Sequence, residues 1–69
     1  MERYETREIA LQALRAVLDE KDVPDGEVRR RIETRAVKHD SGGFSSKRFW
    51  HLPKAEDLDR IIADERSRE

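Results

Sequence analysis

Within the stretch TREIALQALRAVLDEKD, apolar side chains return at Ala10, Leu14, Val17 and Leu18, a spacing of i, i+4, i+7 and i+8. A helix of 3.6 residues per turn gathers those positions into one stripe, and Leu11 and Ala13 widen it. Glu2, Glu5 and Glu8 crowd its start, where the helix dipole favours negative charge. The segment DVPDG ends it, because proline and glycine punctuate local structure. A helix this amphipathic needs something to cover its apolar side, so the rest of the chain is read for what can do so.

The chain has 69 residues, enough for one small domain. A chain of this length buries only about 60% of the surface its unfolded form exposes, so the core must be used fully. There is no cysteine, which removes disulfides and thiolate metal sites as staples. That absence fits a reducing cytoplasm. No apolar run approaches the ~20 residues of a membrane span. The start MERYETREIA is charged from its second residue and lacks a signal-peptide core. The expectation is a soluble cytoplasmic protein.

A second helix is predicted from Asp25 through GEVRRRIETRA, with Asp25 as N-cap. Val28, Ile32 and Ala36 lie along its inner face. Arg30 points nearly opposite with Thr34 beside it, and Arg29 and Arg31 flank the apolar stripe. The last segment, PKAEDLDRIIADERSRE, is also helical. Pro53 suits its first position, Glu56 and Asp57 its first turn, and Ala55, Leu58, Ile61 and Ile62 its stripe. Nothing apolar follows Ala63, so residues 64–69 are expected to fray.

Between these helices, RAVKHD and SSKRFWHL flank SGG, which reads as the loop of a β-hairpin. On a pleated strand alternate residues share a face. Phe44, Trp50 and Leu52 then fall on one side, and Lys47, Phe49 and His51 on the other. One face can join the core while the second shows a cation, an aromatic ring and an imidazole together. Seven residues are too few for periodicity to decide, so a helical reading of 46–52 stays open. The expected core comprises Leu11, Leu14, Val17, Leu18, Val28, Ile32, Trp50, Leu52, Leu58 and Ile61.

Charged residues make up 45% of the chain, and their sign depends on position. Residues 1–26 hold four basic and seven acidic side chains, and residues 52–69 hold four and six. Residues 27–51 hold seven basic against three acidic, with both histidines. A basic centre between acidic flanks can neutralise phosphates, and an exposed ring among the cations can stack on a base.

No catalytic motif accompanies it. In His39-Asp40-Ser41, neighbours on an extended chain point to alternate faces and form no relay unaided. Cross-strand pairing is able to bring His39 and His51 together, but no third metal ligand is evident. The glycines of SGGF lead into no helix and make no phosphate loop. The chain is expected to be non-enzymatic, with no cofactor and no metal.

The run VPDGEVRRRIETRAVKHDSGGFSSKRFWHLPKAEDL resembles the second half of a winged helix-turn-helix DNA-binding domain. In that family a recognition helix leads into a two-stranded wing, whose return strand often carries an aromatic-x-leucine before a further helix. The resemblance implies that EVRRRIETRA is the recognition helix, VKHDSGG the outgoing strand and turn, and KRFWHL the return. Arg29, Arg30 and Thr34 then approach the groove, while Lys38, His39, Lys47 and Arg48 meet backbone phosphates. The first half departs from the family, since one long helix stands where two are usual. The sequence pI of about 6.1 is also low for a DNA binder.

The sequence therefore predicts a mostly α-helical, winged-helix-like domain of three helices around a small β-hairpin. Its expected role is a small regulatory module binding nucleic acid, duplex DNA above all, as a homodimer. The competing expectation is a protein-interaction module, an inhibitor or assembly factor, that docks through Phe49 and His51.

Overall fold

The apolar stripe of the first helix meets two further helices and a small sheet. The structure is a computed structural model and describes residues 3–39 and 48–68. Its elements run β1 (Arg3–Tyr4), α1 (Arg7–Glu20), α2 (Glu27–Ala36), β2 (Lys38–His39), β3 (Trp50–His51) and α3 (Ala55–Ser67). The mostly helical class with a small hairpin is as the sequence predicts. The hairpin gains a third strand: all pairings are antiparallel in the order β1-β3-β2. Phe44, Lys47 and the SGG turn lie outside the described residues.

Local chemistry sets the helix ends. Thr6 caps α1, its Oγ1 accepting from the Ile9 amide at 3.2 Å. The helix closes in a Schellman arrangement, the Val23 amide donating to Leu18 O and the Asp22 amide to Asp19 O. Asp22 takes the left-handed conformation usual for glycine there, φ 58°. Val23 and Leu18, the apolar pair that accompanies this motif, are both buried. Gly26, not Asp25, is the N-cap of α2. Its φ of 154° is a conformation open to glycine and strained for other residues, so backbone geometry decides that cap instead of a carboxylate. Pro53 lies before Lys54, the N-cap of α3, outside the first turn where it was expected. Continuing to Ser67, α3 takes in residues 64–67 of the segment expected to fray.

The centre of the core is Ala10, Leu11, Leu14 and Leu18 of α1, Val23 just after it, Ile32 and Ala36 of α2, Val37, and Leu58 and Ile62 of α3. Tyr4, Val17, Val28, Trp50, Leu52 and Ile61 pack against it while half-buried. Five of the expected core residues thus lie at its edge. Ile62 takes the inner place expected of Ile61, because it lies a full turn from Leu58 on the side facing α2. Trp50 turns one face inward and keeps part of its large surface outside, as is common for tryptophan.

Candidate functional site

Register decides what the sheet shows on each side. Tyr4 pairs with Trp50 and Trp50 with His39, so these three share a face. That face points inward, since Tyr4 and Trp50 pack on the core. His39 lies against Trp50 with ring centroids 4.4 Å apart and stays exposed itself. Arg3 pairs with His51 and His51 with Lys38, so the other face carries a row of arginine, imidazole and ammonium. Phe49 alternates onto the same side, and the Arg3 guanidinium sits 6.0 Å from its ring centroid.

The sequence predicted one face with a cation, an aromatic ring and an imidazole, and Phe49 and His51 supply two of those groups. Arg3 was missed because its strand is two residues long and finds its partner 48 positions further along the chain. The same register separates the two histidines. His39 and His51 lie on opposite faces, which ends the idea that pairing joins them at a metal. No group of three or more potential metal ligands occurs among the described residues. No helix among them is long and apolar enough to cross a membrane.

The arginines of α2 divide by what they touch. Arg29, expected to approach a groove, is only 8% exposed. Its Nη1 donates to Asp19 Oδ1 at 2.7 Å and to Val23 O at 3.1 Å, and its Nη2 to Arg15 O at 3.1 Å. The group ties α2 to the C-terminal turns of α1 and is withdrawn from the surface. Arg30 and Thr34 are exposed, as predicted. Thr34 Oγ1 donates back to Arg30 O at 3.0 Å, so its hydrogen stays within the helix. Arg30, Lys38 and Arg48 are exposed and make no ion pair among the described residues.

Arg31 and Arg35 face α3. Glu65, a single percent exposed, has Oε1 3.4 Å from Arg31 Nε and Oε2 3.6 Å from Arg35 Nη1. Arg35 Nη1 also donates to Asp64 Oδ2 at 2.6 Å, and Arg68 approaches the same oxygen at 3.3 Å. Sequence reasoning missed this seam by treating residues after Ala63 as a tail. The signal was present: Leu58, Ile62 and Glu65 continue the i, i+4, i+7 stripe, which puts a carboxylate at an inward position.

The hydrogen bond from Arg35, followed by the charge of Arg68, holds the Asp64 carboxyl below its ordinary value. The Asp64 hydrogen bond holds Arg35 above its own. A depressed carboxyl stabilises the fold fully above its unfolded value of about 4 and loses that contribution as pH falls through the lowered folded value. Arg35 titrates far above this window and adds nothing to it. Wild type should therefore lose stability faster than Asp64→Asn as pH drops from about 4 to 2. Urea midpoints for the two proteins across that interval check this, and parallel curves would remove the pair from acid unfolding.

Comparison with protein-family models, with curated proteins and with solved structures finds no match for this chain.

Proposed function

We propose that this protein is a non-enzymatic nucleic-acid-binding module that meets duplex DNA mainly through the outward face of its sheet and the hairpin. The observation that carries this reading is the cross-strand row Arg3–His51–Lys38 with Phe49 beside Arg3. Two cations and an imidazole in register follow a backbone of regularly spaced phosphates, and Phe49 offers a ring for stacking. The order α2–β2–β3–α3 supports the winged-helix resemblance, in which a helix leads into a wing and a further helix follows.

The balance between helix and hairpin differs from the family pattern. Arg29 belongs to the fold, and Arg31 and Arg35 face carboxylates of α3. That leaves Arg30 and Thr34 as the outward contribution of α2. The main contacts move to Arg3 and Lys38 on the outward face and to the exposed Arg48 where the return segment begins, with Lys47 a further candidate next to Arg48 in the chain. So few cations per copy make a homodimer on two adjacent sites the natural binding form.

Arg30 with Arg3, Lys38 and Arg48 makes four phosphate contacts per copy, which predicts that log affinity falls with log salt at a slope of about −3.6 per copy bound. Fluorescence anisotropy on a random duplex between 50 and 200 mM salt measures it, conditions spanning roughly the range over which such slopes are read. Lys38→Glu should lower affinity at least tenfold, an estimate of about 1.4 kcal/mol. Because Phe49 is half-buried on that same face, a protein partner is the second reading. DNA left unbound at low salt and micromolar protein would favour it. An interface anchored on Phe49 would then show a shallow salt dependence and lose most of its affinity in Phe49→Ala.

A further inference from the structure

Away from the sheet face, the seam between α2 and α3 forms an open concavity of about 390 Å³. Arg30, Arg31, Arg35 and Arg68 line it, with Thr34 and the carboxylates of Glu27 and Glu65. We propose that this seam binds a single phosphate group, held by guanidinium donors that the carboxylates of α3 orient.

The atoms in use show what remains for a ligand. Arg35 hydrogen-bonds Asp64 through Nη1, and its Nε and Nη2 make no hydrogen bond among the described residues. Arg31 meets Glu27 through Nη1 and Glu65 through Nε, and its closest approach to either carboxylate does not involve Nη2. Arg68 reaches Asp64 through Nη2, away from its Nη1 and Nε. Arg30 makes no ion pair among the described residues. Among the described residues, four guanidinium groups thus stand against three carboxylates, those of Glu27, Asp64 and Glu65. The charge of these described groups sums to a positive value, and each fork keeps at least one donor for an incoming anion.

The carboxylates assist this site by holding the arginines in place. A long side chain ordered by an anion loses rotamer freedom at that moment, at a cost of about 0.5–1.5 kcal/mol for each one immobilised. Arg31 and Arg35 already lie 3.4 and 3.6 Å from the buried Glu65 carboxylate, and Arg35 hydrogen-bonds Asp64, so part of that cost falls on the fold. Their planar forks suit phosphate oxygens, which accept two parallel N–H bonds from one guanidinium. Thr34 Oγ1 keeps its lone pairs and gives its hydrogen to Arg30 O, which fixes the hydroxyl without making it a donor to the ligand.

Phosphate in solution and phosphate in a nucleic-acid backbone share this chemistry, so the test has an arm for each. Uniformly ¹⁵N-labelled protein is titrated with sodium phosphate and, separately, with sodium chloride at equal ionic strength. The Nε–Hε signals of Arg31, Arg35 and Arg68 should move saturably with phosphate alone, while the amides of Lys38 and His51 stay still. Arg68→Gln, which changes an exposed side chain paired with Asp64, should weaken phosphate binding at least fivefold while lowering the melting temperature by no more than about 5 °C. Equal shifts in chloride, or full affinity in Arg68→Gln, would overturn the site.

The second arm adds a random duplex without free phosphate. Movement of the seam signals together with those of the sheet face makes the seam a backbone contact. A seam that answers inorganic phosphate in a protein that leaves DNA unbound keeps this inference and removes the nucleic-acid reading. A protein that binds DNA through the sheet but shows no seam response to either probe does the reverse.

Discussion

Leu14→Ala is expected to lower the folding free energy by about 3–4 kcal/mol, more than a truncation at the edge of the core or on the surface. Leu14 is fully buried, as are Leu18 beside it and Ile32 across the helix interface. Truncating a leucine in such a place loses the transfer energy of its methyls and leaves a hole that the surrounding side chains fill incompletely. A domain of this length has a total stability of roughly 3–10 kcal/mol. The loss therefore removes a large share of it and lowers the melting temperature by about 15–25 °C. Val17→Ala, on the same helix but half-buried, should cost about 1 kcal/mol or less. Thermal and urea unfolding of both variants check the ordering. Equal losses at Leu14 and Val17 would mean that α1 presents a different face to the core.

That face was legible in the sequence because helical periodicity is a local property. Ala10, Leu14 and Leu18 lie one turn apart, and no other element is needed to see that they point together. Ile32 and Ala36 on α2 were readable for the same reason, and Trp50 from the alternation of the return strand. The features that escaped are those created only when distant segments meet. β1 has two residues, and its strand character comes from the edge offered by β3. Nothing in a charged start such as ERYE announces it. Glu65 sits on the stripe of α3, yet its burial depends on two arginines from another helix. For the candidate site, alternation separated Phe49 and His51 from Trp50 and the winged-helix resemblance named Lys38, but register was needed to add Arg3, to set Lys38 beside His51 and to part the histidines.

Arg29 shows most directly how a cation in the sequence differs from a cation on the surface. On α2 alone it flanks the apolar stripe and resembles its neighbours Arg30 and Arg31. Folded, its three hydrogen bonds go to Asp19 Oδ1, Val23 O and Arg15 O. Asp19 is well solvated, its side chain 69% exposed, so the ion pair itself contributes little, on the order of 1 kcal/mol or less. The two carbonyls matter more. Val23 O accepts this bond in buried surroundings, where a lost partner costs about 1–3 kcal/mol for each group stranded. Arg29→Met keeps an unbranched apolar stem and removes every donor, so it should cost about 2–4 kcal/mol. Asp19→Asn should cost under about 1 kcal/mol, and Arg30→Met should change stability by no more than about 0.5 kcal/mol. Arg29→Lys should fall between, since one ammonium cannot reproduce a fork that reaches two segments. On DNA the expected order reverses: Arg30→Met weakens binding, while Arg29→Lys, measured below its melting temperature, binds as wild type does. Should Arg29→Met melt with wild type and yet lose DNA affinity, the guanidinium would be a surface contact after all, and the junction between α1 and α2 would need another explanation.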